Sequence, residues 1–257
     1  MSTLKKKQKT EKSLTKFRLS KLQRDVLVGI LLGDAHLETQ NNGKSYRLKY
    51  SQAVQHKEYL FYVYSFFKEW CLTEPKLRVR KTEIVINGKV TSPLTERSRW
   101  EFTTQSCSSL RFYAQQFYPK HSTKKRVPAI IHRILTAAGF SFWYQDDGSI
   151  KSKQSKGLIL NTQGFILSDV EKLCIVLKKK LDLEAKPRYQ KDGYQIYISG
   201  FSFEKATKLV ENWLSPCMKT RKWTAPKKIS KKIISTPATL GELSKLEKES
   251  VTKLPKE

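Results

Sequence analysis

Two aspartates, Asp34 and Asp147, end two short apolar runs of the same layout, Leu27–Ala35 (LVGILLGDA) and Phe140–Gly148 (FSFWYQDDG). Each run reads as an apolar helix whose last turn carries an acid. A helix that is apolar all round is buried, so the two are expected to pack on each other. Gly29 and Gly33 are four apart and share one helical face, where missing side chains let a partner backbone come close. Two such helices side by side would set Asp34 next to Asp147. A carboxylate at a helix C-terminus is unfavourable alone and favourable when a cation sits on it. Two such acids, with no Lys or Arg in either run, read as a divalent-metal site.

The elements that must position this pair belong to a strongly basic chain. It has 257 residues, enough for one large domain or two fused halves. An apolar content of 39% supports a core, while 50 Lys and Arg against 23 Asp and Glu give a net charge of +27. That excess calls for a polyanion, nucleic acid before an anionic membrane. No apolar run approaches the roughly 20 residues of a membrane span. Cys71, Cys107, Cys174 and Cys217 are scattered without CxxC spacing. They form neither a zinc set nor an evident disulfide framework, and read as buried thiols of a reducing compartment. The basic start lacks the apolar stretch of a secretory signal.

Residues 1–20 read as a flexible basic arm. A first helix is expected from about Ser20, followed by a turn at Asn41-Asn42-Gly43. Tyr46–Gln52 alternates as a strand does. Lys57–Trp70 reads as an aromatic-rich helix. Leu77–Lys81, Glu83–Ile86 and Trp100–Thr104 read as strands, with Asn87-Gly88 as a hairpin turn. Ser109–Tyr118 is a short helix stopped by Pro119. Residues 121–130 make a basic connector. A helix is expected over Ile130–Asp147, then a strand over Gly157–Gln163. Ser168–Glu171 reads as a capping box that opens a helix running to Leu181. Lys186–Gln190 and Tyr194–Ile198 flank an Asp192-Gly193 turn. Phe203–Trp213 is the next helix, and 226–257 is a weakly ordered Lys/Glu-rich tail.

The two passes repeat each other. Ser51-Gln52 matches Thr162-Gln163, and Lys125 and Lys222 each lie six residues after a post-helix proline, Pro119 and Pro216. Residues 21–120 and 131–225 thus form two α+β halves. Each half would have an antiparallel sheet with helices on one face and the other face open. Outward residues on the open faces would be Arg47, Lys49 and Ser51 in one half and Arg188, Gln190 and Gln195 in the other. Arg78 and Arg80 on the Leu77–Lys81 strand join that set. Gln52 and Gln163 are expected to reach into the cleft between the halves, where they could order water beside the acids. These residue types bond phosphates and base edges.

The two acid-ended runs, with Gly157–Gly164 (GLILNTQG) and Tyr194–Ser199 (YQIYIS), resemble the LAGLIDADG homing endonucleases of the single-chain, two-motif kind. The likeness spans about residues 20–225. The second motif departs from the pattern at Phe142 and Asp146, where small residues are usual. The resemblance implies two pseudo-symmetric αββαββα-like halves, motif helices at the centre, and a saddle of two antiparallel sheets. It implies a monomer, encoded in an organellar intron of chloroplast or mitochondrion, that cuts both strands of a long asymmetric double-stranded DNA target across the minor groove. It implies Mg²⁺, replaceable by Mn²⁺, held by Asp34 and Asp147 with backbone carbonyls of Gly33 and Asp146. It also implies one basic helper per half. Lys125 and Lys222 hold the repeated position, with Lys124, Lys219 and Arg221 as alternatives and plain phosphate binding as another role. His36 beside the first acid is a weaker general-base candidate.

A second class of function fits the same charge: a maturase acting on its own intron RNA, or a non-catalytic nucleic-acid binder. A third, a basic ribosome-associated protein, accounts for the charge and not for the duplicated acids. Survival of both acids favours the nuclease.

Overall fold

A computed structural model describes residues 17–86, 89–119, 122, 124–152 and 154–218, without the side chains of 81–95. Residues 1–16 of the basic arm, the Asn87-Gly88 turn, Lys219, Arg221, Lys222 and the C-terminal tail lie outside the described residues, while the last part of the expected arm is packed, with Leu19 buried and Phe17 edge-on to Trp70 at 5.5 Å.

Helix α1, Lys21–Leu32, begins where Ser20 accepts the Gln23 N–H and Gln23 accepts the Ser20 N–H in return. This reciprocal cap satisfies two donors that a helix start leaves free. Every residue from Val26 to Leu32 is buried, as an all-apolar helix requires. The chain continues through β1 (His36–Glu38), β2 (Arg47–Ala53), α2 (Lys57–Phe67), β3 (Lys76–Ile86), β4 (Lys89–Thr103) and α3 (Arg111–Phe117). After the connector come α4 (Ile131–Ile134), α5 (Ala137–Asp147), β5 (Gly148–Ser152), β6 (Ser155–Leu160), α6 (Leu167–Leu181), β7 (Ala185–Gln190), β8 (Gly193–Ile198) and α7 (Phe203–Val210).

The strands form two antiparallel four-stranded sheets, ordered β1-β2-β4-β3 and β5-β6-β8-β7. The orders are the same, so the α+β repeat expected from the sequence is present in the topology. In β2 the alternation is strict: Leu48, Tyr50 and Gln52 are buried, and Arg47, Lys49, Ser51 and Ala53 stand on the other face. In β8, Ile196 and Ile198 are buried while Gln195 and Tyr197 are not.

Helices α1 and α5 pack on each other at the centre. A Cβ at Gly29 would fall 2.3 Å from the Gly139 carbonyl oxygen and 2.9 Å from the Phe142 Cβ. The small residue that α5 brings to this contact is therefore Gly139, one turn before Phe142. The Phe142 ring turns aside, stacked on Tyr62 at 5.9 Å and edge-on to Phe66 at 5.5 Å. Bulk at position 142 thus leaves the close approach at Gly29 intact.

Several sequence expectations need correction. β1 and β5 are short edge strands that follow the acids directly, and no strand was expected there. The strands expected over Leu77–Lys81 and Glu83–Ile86 are one strand, and its partner begins at Lys89 rather than Trp100. The expected Ile130–Asp147 helix is broken at Leu135, whose ψ of 121° is extended; Thr136 then caps α5 by accepting the Gly139 N–H at 3.1 Å. Ser168–Glu171 is not a capping box. α6 starts at Leu167 with Ile166 as its cap residue, and no side chain caps it. Ser168 therefore lies inside the first turn and not at the cap position that the box requires.

Candidate active site and nucleic-acid interface

Helix α1 ends at Leu32, Gly33 closes it, and Asp34 follows, exposed to solvent. The second motif ends in three consecutive polar residues. Successive helical positions are about 100° apart, so the three side chains leave in different directions. Gln145 is fully buried and donates to the carbonyls of Ser141 and Trp213 while accepting the Ser215 N–H at 2.8 Å. Asp146 points across the seam. Asp147 faces an open cleft of ≈ 410 Å³ that Gly33, Lys125, Asn161 and Thr162 also line.

Asp146 is the feature that sequence reasoning missed. It was expected to offer a backbone carbonyl, whereas the structure places its side chain behind Asp34. Its Oδ2 accepts the Asp34 N–H at 3.1 Å, and its Oδ1 accepts the Tyr50 hydroxyl at 2.6 Å and Gln52 Nε2 at 3.3 Å. Burial, with the charges of Asp34 and Asp147 behind it, pushes the Asp146 carboxyl well above the usual aspartate range. The hydrogen bonds from Tyr50 and Asp34 pull the other way. The signal in the sequence was Asp-Asp at the end of an apolar run, together with a glycine at the matching place in the other helix.

Gln52 lies on the core side of β2 and not on the open face. Its Nε2 is 2.7 Å from Asp34 Oδ2 and 2.9 Å from the Tyr50 hydroxyl oxygen. Its partner in the second half is not Gln163. His36 pairs with Lys49, and Ser149 with Ile159. With Asp34 and Asp147 equivalent, Ser51 then corresponds to Asn161 and Gln52 to Thr162. A one-residue slip in a strand moves every side chain to the opposite face. Gln163 lies in the turn after β6, where its backbone sits against Gly193. Thr162 donates its hydroxyl to the Tyr194 carbonyl at 2.7 Å.

Lys125 provides the cation that a carboxylate at a helix C-terminus calls for. Its Nζ donates to the carbonyls of Leu31 at 3.0 Å and Ala35 at 3.1 Å, and to that of Gly33. These are acceptors that a helix end leaves free. Burial lowers the Lys125 ammonium below its ordinary value, against the charges of Asp147, Asp146 and Asp34, which favour it. The neighbouring connector residues are anchored by Asp169, whose side chain is 2% exposed. It accepts Arg126 Nε at 2.7 Å, the Val127 N–H at 3.1 Å and Lys172 Nζ at 3.1 Å. Burial opposes the Asp169 charge, yet those bonds hold its carboxyl below the ordinary range.

Among the described residues, no three His, Cys, Asp or Glu side chains gather as a self-sufficient metal cage. The oxygens present, Asp34, Asp147 and the Gly33 carbonyl, fit a hard cation that keeps water and takes one or two carboxylates from protein.

On the open faces, Arg188 stands opposite Gln195 and Gln190 opposite Gly193, and Gln195 Nε2 donates to Asn161 Oδ1 at 2.8 Å. Arg78 and Arg80 lie exposed on β3, opposite Arg99 and Arg97. The Nε of Arg99 is buried without a partner among the described residues. Arg47 and Lys49 both reach Glu38, as does His36 Nε2 at 3.0 Å. Burial opposes the Glu38 charge, but hydrogen bonds from His36 and Arg47 hold its carboxyl below the ordinary range. His36 is thereby engaged on the sheet.

Two matched motif helices packed on each other, two sheets of one topology and an acid at the end of each helix define a duplicated α+β protein. The model of the LAGLIDADG DNA endonuclease family matches residues 24–206, and the chain belongs to that family. It is 29% identical to the probable intron-encoded endonuclease 1 of Wickerhamomyces canadensis over 206 residues, 78% of this chain and 84% of that one. It is 27% identical to the cytochrome b mRNA maturase bI2 of Saccharomyces cerevisiae over 201 residues, 76% of this chain and 45% of that protein. Its structure is similar to that of the homing endonuclease I-WcaI bound to its DNA recognition sequence, with a TM-score of 0.70 and 25% identity, covering 79% of this chain and 86% of that one.

Proposed function

We propose that the chain is a site-specific DNA endonuclease, acting as a monomer on a long asymmetric duplex laid across the two open sheet faces. The carrying observation is that one chain presents an acid at the end of each of two packed helices, with Lys125 lining the cleft that Asp147 faces and bonded to the Gly33 carbonyl beside Asp34. The relatives named for endonuclease activity, which this chain matches over most of their length, support the same reading.

Asp34 and Asp147, with the Gly33 carbonyl, would hold Mg²⁺, with Mn²⁺ as a substitute. Bound there, the metal would neutralise charge on the scissile phosphate and activate water. The protein's own groups do the rest. Gln52 fixes one oxygen of Asp34, and Asp146 holds the Asp34 backbone. Lys125 neutralises the end of α1 beside the phosphate path, and Lys222 is assigned the matching task in the second half. Arg47, Lys49, Ser51, Arg78 and Arg80 on one face, and Arg188, Gln190 and Gln195 on the other, hold the duplex. A relative named as intron-encoded and another named for cytochrome b mRNA support an intron-borne, organellar coding context.

The test is cleavage of a target selected from a randomised duplex library in Mg²⁺. Asp34→Asn and Asp147→Asn should each abolish cutting and leave DNA binding largely intact, and Lys125→Met should slow cutting. Full cutting by either aspartate variant would refute the metal assignment.

A second activity, assistance to splicing of its own intron RNA, is favoured by the maturase relative. Splicing assays with Asp34→Asn separate the two, because RNA folding needs no metal held between the acids.

A further inference from the structure

The two open sheet faces carry similar cations but hold them differently. On the first sheet Arg47 lies directly opposite Glu38 and gives it both Nε, at 3.1 Å, and Nη2, at 2.9 Å. Arg78 gives its Nε to Glu101 Oε1 at 2.8 Å, across the β3–β4 ladder. The Glu101 side chain is 12% exposed and that of Arg78 59%, so the acid lies in the floor of the face and the guanidinium stands above it. On the second sheet Lys151 and Lys186 lie over the ring of Tyr197, at 5.2 and 6.0 Å. Among the described residues no carboxylate pairs with them or with Arg188.

The difference has a chemical consequence. A carboxylate that takes one edge of a guanidinium cancels much of its pull towards phosphate and stops the group from turning. What remains is the far end of the fork, with N–H groups on both terminal nitrogens. That fork matches the O6 and N7 acceptors of guanine in the major groove. A lysine on an aromatic ring is a point charge without such geometry and suits phosphate, which positions DNA without reading it.

We infer that Arg47 and Arg78, each held by a sheet carboxylate, are guanine-reading residues, and that the half of the target lying on the first sheet is specified at two guanines with no counterpart on the second. This rests on the reading that the open faces bind duplex DNA.

The test is a binding selection with the full chain on randomised duplex DNA, without divalent metal so that nothing is cut. The wild type should enrich guanine about tenfold or more at two positions of one half-site. Arg47→Lys and Arg78→Lys keep the charge and lose the fork. Each should flatten one of those positions and leave affinity for unrelated DNA nearly unchanged. Glu38→Gln and Glu101→Gln should weaken the same preferences without loss of non-specific binding. Melting curves confirm that each variant is folded; the exposed Arg78 makes its own variant the safest. The inference is overturned if the lysine variants lower binding to every sequence alike, or if the wild type selects other bases at the affected positions. A wild type that selects no sequence removes the DNA reading itself. A wild type that selects sequence, with lysine variants that leave the profile unmoved, removes only the inference.

Discussion

The carboxylate of Asp146 fills the space that a side chain at Gly33 would need. A Cβ at Gly33 would stand 2.4 Å from Asp146 Oδ2 and 2.6 Å from Asp146 Cβ. The seam between the motif helices is therefore tight at two levels, Gly29 on Gly139 and Gly33 on Asp146. At the second level the contact also carries the hydrogen bond that holds the Asp34 backbone.

Gly33→Ala should accordingly cost about 1–3 kcal/mol in denaturant unfolding, the usual penalty of overpacking a filled interior. It should also displace Asp146 and impair cutting. Gly33→Ala combined with Asp146→Gly should recover part of that loss, because the second change removes both the carboxylate and the Cβ in conflict. Equal or lower stability of the double variant would argue against this contact.

Gln52→Leu removes the amide that fixes Asp34, together with its longer bond to Asp146. Thr162, its counterpart, gives its hydroxyl to the Tyr194 carbonyl and offers Asp147 no amide. Loss of an outer group that orients a metal-binding carboxylate commonly costs about 10–100-fold. The two strands should then be cut at unequal rates, and nicked duplex should accumulate on a gel under single-turnover conditions. Equal slowing of both strands would show that Gln52 serves the two acids alike.

Asp169 ties the connector that carries Lys125 to helix α6. Its carboxyl is held below the ordinary aspartate value of 3.8, so the folded state binds that proton less readily than the unfolded chain does. The stability it contributes is present above the unfolded value and is lost as pH falls through the lower folded value. Asp169→Asn should therefore be less stable than wild type by about 1–3 kcal/mol near neutral pH. The gap should close in acid below the ordinary aspartate range. A gap that stays constant from neutral to strongly acidic pH, in melts of both proteins, would assign the loss to packing instead.

DNA binding should weaken steeply with salt. A face that neutralises on the order of ten phosphates gives a log–log slope of about −9. Replacing Lys186 or Arg188 should lower that slope by about one each, if the second sheet holds backbone phosphates. A nearly flat salt response, in titrations across ionic strength, would remove the electrostatic case for the face.

The sequence alone was enough for the α+β repeat and the central helix pair. An apolar run with glycines four apart can be satisfied only by a closely packed neighbour, and period-two alternation in Arg47–Ala53 leaves one face to the core. Both signals are local, so they survive without coordinates. The Asp192-Gly193 hairpin was legible for the same reason: its glycine has a φ of 135°, which few side chains tolerate. The edge strands β1 and β5 were not legible, because three to five residues carry too little alternation to register.

Other features were decided by tertiary structure. Residue types show that three polar side chains end the second motif, but only the helix rotation against α1 decides that Gln145 holds the chain, Asp146 holds Asp34 and Asp147 meets the cleft. Counting positions matched Gln52 to Gln163. Ladder register, which depends on hydrogen bonds between strands distant in sequence, matches it to Thr162. Lys125 was singled out by its distance from a proline, while its three carbonyl partners come from the end of α1 and the turn after it, about ninety residues earlier. Composition and period report what a residue needs, and the packed fold alone determines which distant group supplies it.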